Sequence, residues 1–218
     1  MKKIAEKYRL HFRNNKFLIS LGIALIFLTI SIFVNYFASQ YATEKASNSV
    51  TDIILSNTQP WDVGPAFLYG PLIFWFFIFI VCLLNPQKFP FVLKCTAIFI
   101  IIRSIFMSLT HLGPFPTQDP LELGNVVQRF VAGPGADLFF SSHTGMPFLM
   151  ALIFWKNKYI RLLSLVASLF FGVIVLLGHY HYSIDVLAAF FITYSIFHIA
   201  VRLFPKDKEI FDSKPISF

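Results

Sequence analysis

Charge is scarce in this chain. Only 13% of its 218 residues are Asp, Glu, Lys or Arg, and they leave long runs with no charge at all. That pattern excludes an ordinary water-soluble globule. With 56% hydrophobic and 18% aromatic residues, the composition is that of an integral membrane protein built as one helical bundle. Cysteine is nearly absent: Cys82 and Cys95 flank one short loop, carry no information about a redox compartment, and fit no Cys/His spacing of a structural zinc site. No internal repeat or low-complexity tract is present beyond a phenylalanine bias in the apolar runs. The formal net charge is +7, but the Lys and Arg sit in short clusters between apolar runs. They are topology signals and not a nucleic-acid footprint.

The sequence predicts an all-α, polytopic protein with six transmembrane helices. A basic head, residues 1–16, precedes span 1 at 17–37, which is too long for the apolar core of a cleavable signal and is a retained anchor. The polar segment 38–65 holds Glu44, Asp52 and Asp62; Val50, Ile53 and Ile54 give it a weak apolar face suited to the membrane surface. Spans 2 to 6 are expected at 66–84, 92–109, 138–155, 160–177 and 183–204, with a short charged tail at 205–218. Residues 110–137, with HLGPFP and AGPGAD, are rich in breakers of regular structure. The 18 basic residues fix an orientation. Lys45 and Arg129 alone fall in one set of loops, Arg103 lies within span 3, and all the others fall in the head, the 85–94 and 156–161 loops and the C-terminal end. Both termini are then cytosolic, and spans 4 and 6 enter from the outer face.

The stretch Gly178 to Asp185, GHYHYSID, packs His179, His181 and Asp185 at the mouth of span 6, where buried polar groups are costly and usually functional. His181 and Asp185 are four apart, so a helix starting near Tyr182 puts carboxylate and imidazole on one face. The Asp fixes the tautomer, and the second ring nitrogen serves as nucleophile or base. A second histidine, His143 in FFSSHTG, opens span 4 at the same depth. Pro147 has no N–H for the His143 carbonyl, so that helix entry is loose. Helix N-termini favour anions, and two of them meeting beside histidines form a phosphate cradle.

FFSSHT and HYHYSIDVLAA resemble the second and third signature motifs of the sphingomyelin synthase branch of the type 2 phosphatidic acid phosphatase superfamily, over roughly Ile101 to Arg202. The resemblance implies that His181 attacks phosphorus, that Asp185 orients it, and that His143 handles the proton of the leaving oxygen. Arg103 matches an Arg that the family places in its third span. Arg103, Ser142 and His179 are the candidate phosphate-binding residues, and no metal or other cofactor is implied. The wider superfamily's Lys-x6-Arg-Pro motif and the Ser-Arg pair before the third motif are missing, and the branch's proline-rich motif is only echoed by Gln59-Pro60-Trp61-Asp62. A phosphomonoester approaching two negative charges needs several cationic clamps, whereas a diester carries one. The expected activity is therefore transfer of a phosphorylated headgroup from a phospholipid donor to a lipid alcohol of the ceramide or diacylglycerol type, or to water. A lipid phosphate phosphatase is the alternative. Other classes kept open are a bis-histidine haem or metal protein and a non-catalytic membrane partner or transporter. Asp137 is expected to cap span 4, Arg129 to be a solvated loop charge, and Trp61, Trp75 and Trp155 to be interface or lipid anchors.

Overall fold

A computed structural model of the chain describes residues 2–120 and 138–213, and every regular element among them is helical. Arg129, the AGPGAD turn and Asp137 lie outside the described residues. The helices are α1 (Lys2–Phe12), α2 (Asn15–Glu44), α3 (Gly64–Leu84), α4 (Phe89–Leu109), α5 (Ser142–Ile153), α6 (Lys158–Leu177), α7 (Ser183–Leu203) and α8 (Pro205–Asp212). Local chemistry sets their starts. Asn14 accepts from the Lys16 amide at 3.0 Å ahead of α2, and Asn157 accepts from the Ile160 amide at 3.1 Å ahead of α6. Pro65, Pro90 and Pro205 sit in first turns, where a missing N–H costs nothing.

Five helices among the described residues are long and apolar enough to cross a membrane: α2, α3, α4, α6 and α7. The chain is an integral membrane protein. The predicted fourth span at 138–155 is instead a helix of 12 residues, Ser142–Ile153. At 1.5 Å per residue it is about 18 Å long, well short of a hydrocarbon core of about 30 Å. It begins late because the Ser141 side chain caps it, accepting from the Thr144 amide at 3.4 Å and the Thr144 hydroxyl at 3.3 Å. Span 1 differs in the other direction. Ala38 to Glu44 continue α2, which has 30 residues, so the polar connection is only 45–63.

Helix α5 sits at the centre of the bundle. It packs against α4, α6 and α7, and Phe91, Phe99, Phe140, Leu149, Met150, Ile153 and Ile196 form the buried core around it. Gly145 allows this approach: a Cβ there would lie 2.8 Å from the Phe99 ring and 2.9 Å from the Thr193 hydroxyl. Ser168 on α6 donates to the Thr144 carbonyl at 2.7 Å, tying α5 on its other flank. At the far end the expected tail is partly a docked helix. Asp207 and Phe211 of α8 are buried, and Lys94 Nζ lies 2.6 Å from Asp207 Oδ2 and 2.9 Å from the Ser20 hydroxyl. Lys94, counted above among loop charges, is a buried member of α4.

Candidate active site

The linker from α6 to α7 is held almost residue by residue by the 45–63 and 110–120 segments. The Trp61 amide donates to the Leu177 carbonyl at 2.8 Å, and the Asp119 amide to the Gly178 carbonyl at 3.0 Å. His179, at a positive φ of 55°, meets the Thr58 hydroxyl through Nε2 at 3.2 Å and the Thr117 hydroxyl through Nδ1 at 2.7 Å. Tyr180 donates to Asp119 Oδ2 at 2.8 Å, and Tyr182 donates to the Gly113 carbonyl at 2.8 Å. Ser183 gives both its amide (2.7 Å) and its hydroxyl (2.8 Å) to Asp52 Oδ2. Each side chain on either side of His181 is thus committed outward.

The His181 side chain turns to Asp185. Its Nδ1 lies 3.4 Å from Asp185 Oδ2, which also accepts from the Tyr182 amide at 2.9 Å. Because a carboxylate only accepts, the proton sits on Nδ1 and the lone pair on Nε2. Asp185 is completely buried, and its Oδ1 has no partner among the described residues. The two motifs touch through backbone: the Ser141 amide donates to the Asp185 carbonyl at 3.2 Å. Arg103 Nε donates to the Phe140 carbonyl at 2.8 Å, which ties α4 to the entry of α5. His143 lies three positions further along, in the first turn of α5. Its ring stacks on Phe67 at 4.1 Å and 19°, and its Nε2 lies 3.2 Å from the Phe67 carbonyl.

His143, His181, Asp185 and Arg103 are therefore gathered at one end of α4, α5 and α7. Ser142 lies beside them, half-buried in the first turn of α5. His179 has both ring nitrogens engaged by threonines, which leaves none for a phosphate. The expectation of two anion-binding helix N-termini also needs correction, because Asp52 already occupies the leading amide of α7. Burial pushes the Asp52 carboxyl up, but the amides of Leu55, Ser183 and Ile54 and the Ser183 hydroxyl outweigh it and hold it below its ordinary value. Burial likewise lowers His179, with Asp52 acting against it, and raises Tyr180, with Asp119 adding to the effect.

Sequence reasoning missed Asp52, Thr58, Thr117 and Asp119, which are far along the chain from the motif and carry no local signal. Among the described residues no group of three or more His, Cys, Asp or Glu is arranged to hold a metal.

Comparison with known families gives one finding. Residues 135–202 match the family model described as PAP2 superfamily C-terminal, which takes in α5, α6 and nearly all of α7 and supports the PAP2 superfamily for this chain. No curated protein and no solved structure matches it.

Proposed function

We propose that the protein transfers a phosphorylated headgroup between membrane lipids through a phosphohistidine. His181 Nε2 attacks the phosphorus of a phospholipid, and the bond from phosphorus to the diacylglycerol oxygen breaks. His143 gives that oxygen a proton, while Asp185 stabilises the imidazolium formed at His181. The hydroxyl of a ceramide- or diacylglycerol-type acceptor then attacks the phosphohistidine, returns a proton to His143 and frees His181. In this reading Arg103 and Ser142 hold the phosphate.

The observation that carries this reading is the His181–Asp185 pair at the start of α7, bonded through the Asp185 carbonyl to the cap residue of α5, two positions before His143. The match to a superfamily of phosphatases and phosphotransferases agrees with it. Choice of a diester over a monoester rests on charge. Besides Arg103 and Lys45 the described outer end carries carboxylates, Glu44, Asp52, Asp62 and Asp119, and the α7 amide that would have met an anion is taken. A second negative charge on the substrate would be poorly compensated there. In the same proposal the short α5, with the residues flanking it, completes six crossings, both termini are cytosolic, and the site faces the outer side.

The test is incubation of purified protein with a panel of labelled phospholipids, with and without ceramide or diacylglycerol. Headgroup transfer to the added alcohol is the expected product, with some hydrolysis by water. Faster release of inorganic phosphate from phosphatidic acid than of any product from a diester would replace this reading with the phosphatase.

A further inference from the structure

Helix α3 carries a proline in its interior, Pro71, in the middle of an apolar span. A helical N–H at position 71 would bond the carbonyl at position 67, and proline has none. The Phe67 carbonyl is therefore deprived of its helical partner in a place where water cannot replace it: Phe67 is 5% exposed and His143 9%. It is this carbonyl that His143 Nε2 faces at 3.2 Å, with the Phe67 ring stacked on the imidazole. A carbonyl can only accept, so the nitrogen facing it carries the hydrogen.

We infer that Pro71 is a positioning residue, which frees the Phe67 carbonyl to lock His143 in its Nε2–H form and so makes Nδ1 the nitrogen that exchanges protons with substrate. The Nε2–H stays on Phe67 in both protonation states of the ring. A proton on Nδ1 passes to the departing oxygen, and the proton of the acceptor hydroxyl returns to Nδ1. The two histidines then work from opposite nitrogens: Asp185 holds Nδ1 of His181 and leaves Nε2, while Phe67 holds Nε2 of His143 and leaves Nδ1. The arrangement explains why a helix that touches α5 little supplies a contact to its first turn. Gly70, beside Pro71, lets α3 pack closely on α6, since a Cβ there would overlap the Phe171 ring.

This inference rests on the proposed role of His143, and the experiment separates the two. Protein labelled with 15N in its histidines is observed by NMR at alkaline pH, where the rings are neutral, and His143 is assigned from its loss in His143→Asn. The wild type is expected to show a protonated Nε2 and a bare Nδ1 at His143; a protonated Nδ1 there overturns the inference without any variant. Pro71→Ala restores an N–H that competes for the carbonyl and removes a helix breaker, so folding is not at risk from lost propensity. It is expected to mix the two tautomers and to lower kcat about tenfold with KM little changed, the scale on which lost orienting partners act. Pro65→Ala, in the first turn where no carbonyl awaits the N–H, is expected to change neither. An unchanged His143 signal, or an unchanged kcat, in Pro71→Ala overturns the inference. Full turnover in His143→Asn would instead remove the role proposed for His143 itself.

Discussion

Single atoms decide the chemistry proposed for this site. His181 is oriented through Nδ1, and its nearest hydrogen-bonding groups in sequence, His179, Tyr180, Tyr182 and Ser183, are all turned to other partners. Alanine at His181, His143 or Asp185 is expected to lower turnover by at least about a hundredfold, and the double histidine variant to be little worse than either single, because parts of one unit are not additive. Steady-state assays of the purified variants check both statements. His179→Ala should behave differently. It removes two hydrogen bonds and leaves the Thr58 and Thr117 hydroxyls to find new partners, so we expect a loss of about 1 to 3 kcal/mol in unfolding free energy with kcat largely kept. A variant with normal stability and no turnover would return His179 to the phosphate site.

Elements far apart in sequence hold these residues in place, and electrostatics does much of the holding. Asp52 caps both its own turn, through the Ile54 and Leu55 amides at 2.8 and 3.1 Å, and the start of α7, through Ser183. Losing such a cap costs about 1 to 2 kcal/mol, so Asp52→Ala should melt earlier in thermal unfolding and bind substrate in a less ordered site. The sign of its pH dependence follows from a carboxyl held below its ordinary value of 3.8. Its stabilising contribution is complete above that value and is lost as pH falls through the lower folded-state value. The wild type should therefore lose stability in acid below about pH 4 more steeply than Asp52→Ala does. At the opposite end, Lys94 and Asp207 form a buried pair with Ser20 bonded to both. Removing either charge alone leaves the other buried and unpaired, at a cost of about 3 to 5 kcal/mol, whereas Lys94→Met with Asp207→Leu should recover most of that loss. Chemical unfolding of the two single variants and the double variant measures it.

For the whole molecule, the basic residues make a topology prediction. Cys82 and Cys95 are buried, so a single introduced cysteine is read cleanly in the folded protein. Ser49→Cys is expected to react with an impermeant reagent from outside and Lys158→Cys is not; the reverse would move the site to the cytosol. Much of this architecture was legible in the sequence, because apolar length and the spacing of His181 and Asp185 are local properties. Five of the six expected spans appear as helices of sufficient length, and the His181–Asp185 spacing produced the pair it implied. What was not legible depends on partners remote in sequence. Nothing around Asp52 announces that it will cap α7, nothing around Lys94 distinguishes a topology charge from half of a buried ion pair, and the Ser141 cap that shortens α5 competes with an apolar run reaching back to Leu138. Pro71 drew no attention within its apolar span, because its meaning lies in the carbonyl it releases toward another helix.

The central claim is that the headgroup passes through His181 in two successive displacements at phosphorus. The stereochemical course of transfer tests it most directly, using a phospholipid donor made chiral at phosphorus with sulfur and oxygen isotopes and a lipid alcohol acceptor. Two in-line displacements each invert the centre, so the product should show net retention of configuration. Net inversion would mean that the acceptor attacks the donor directly, with no phosphohistidine between them, and would contradict the account.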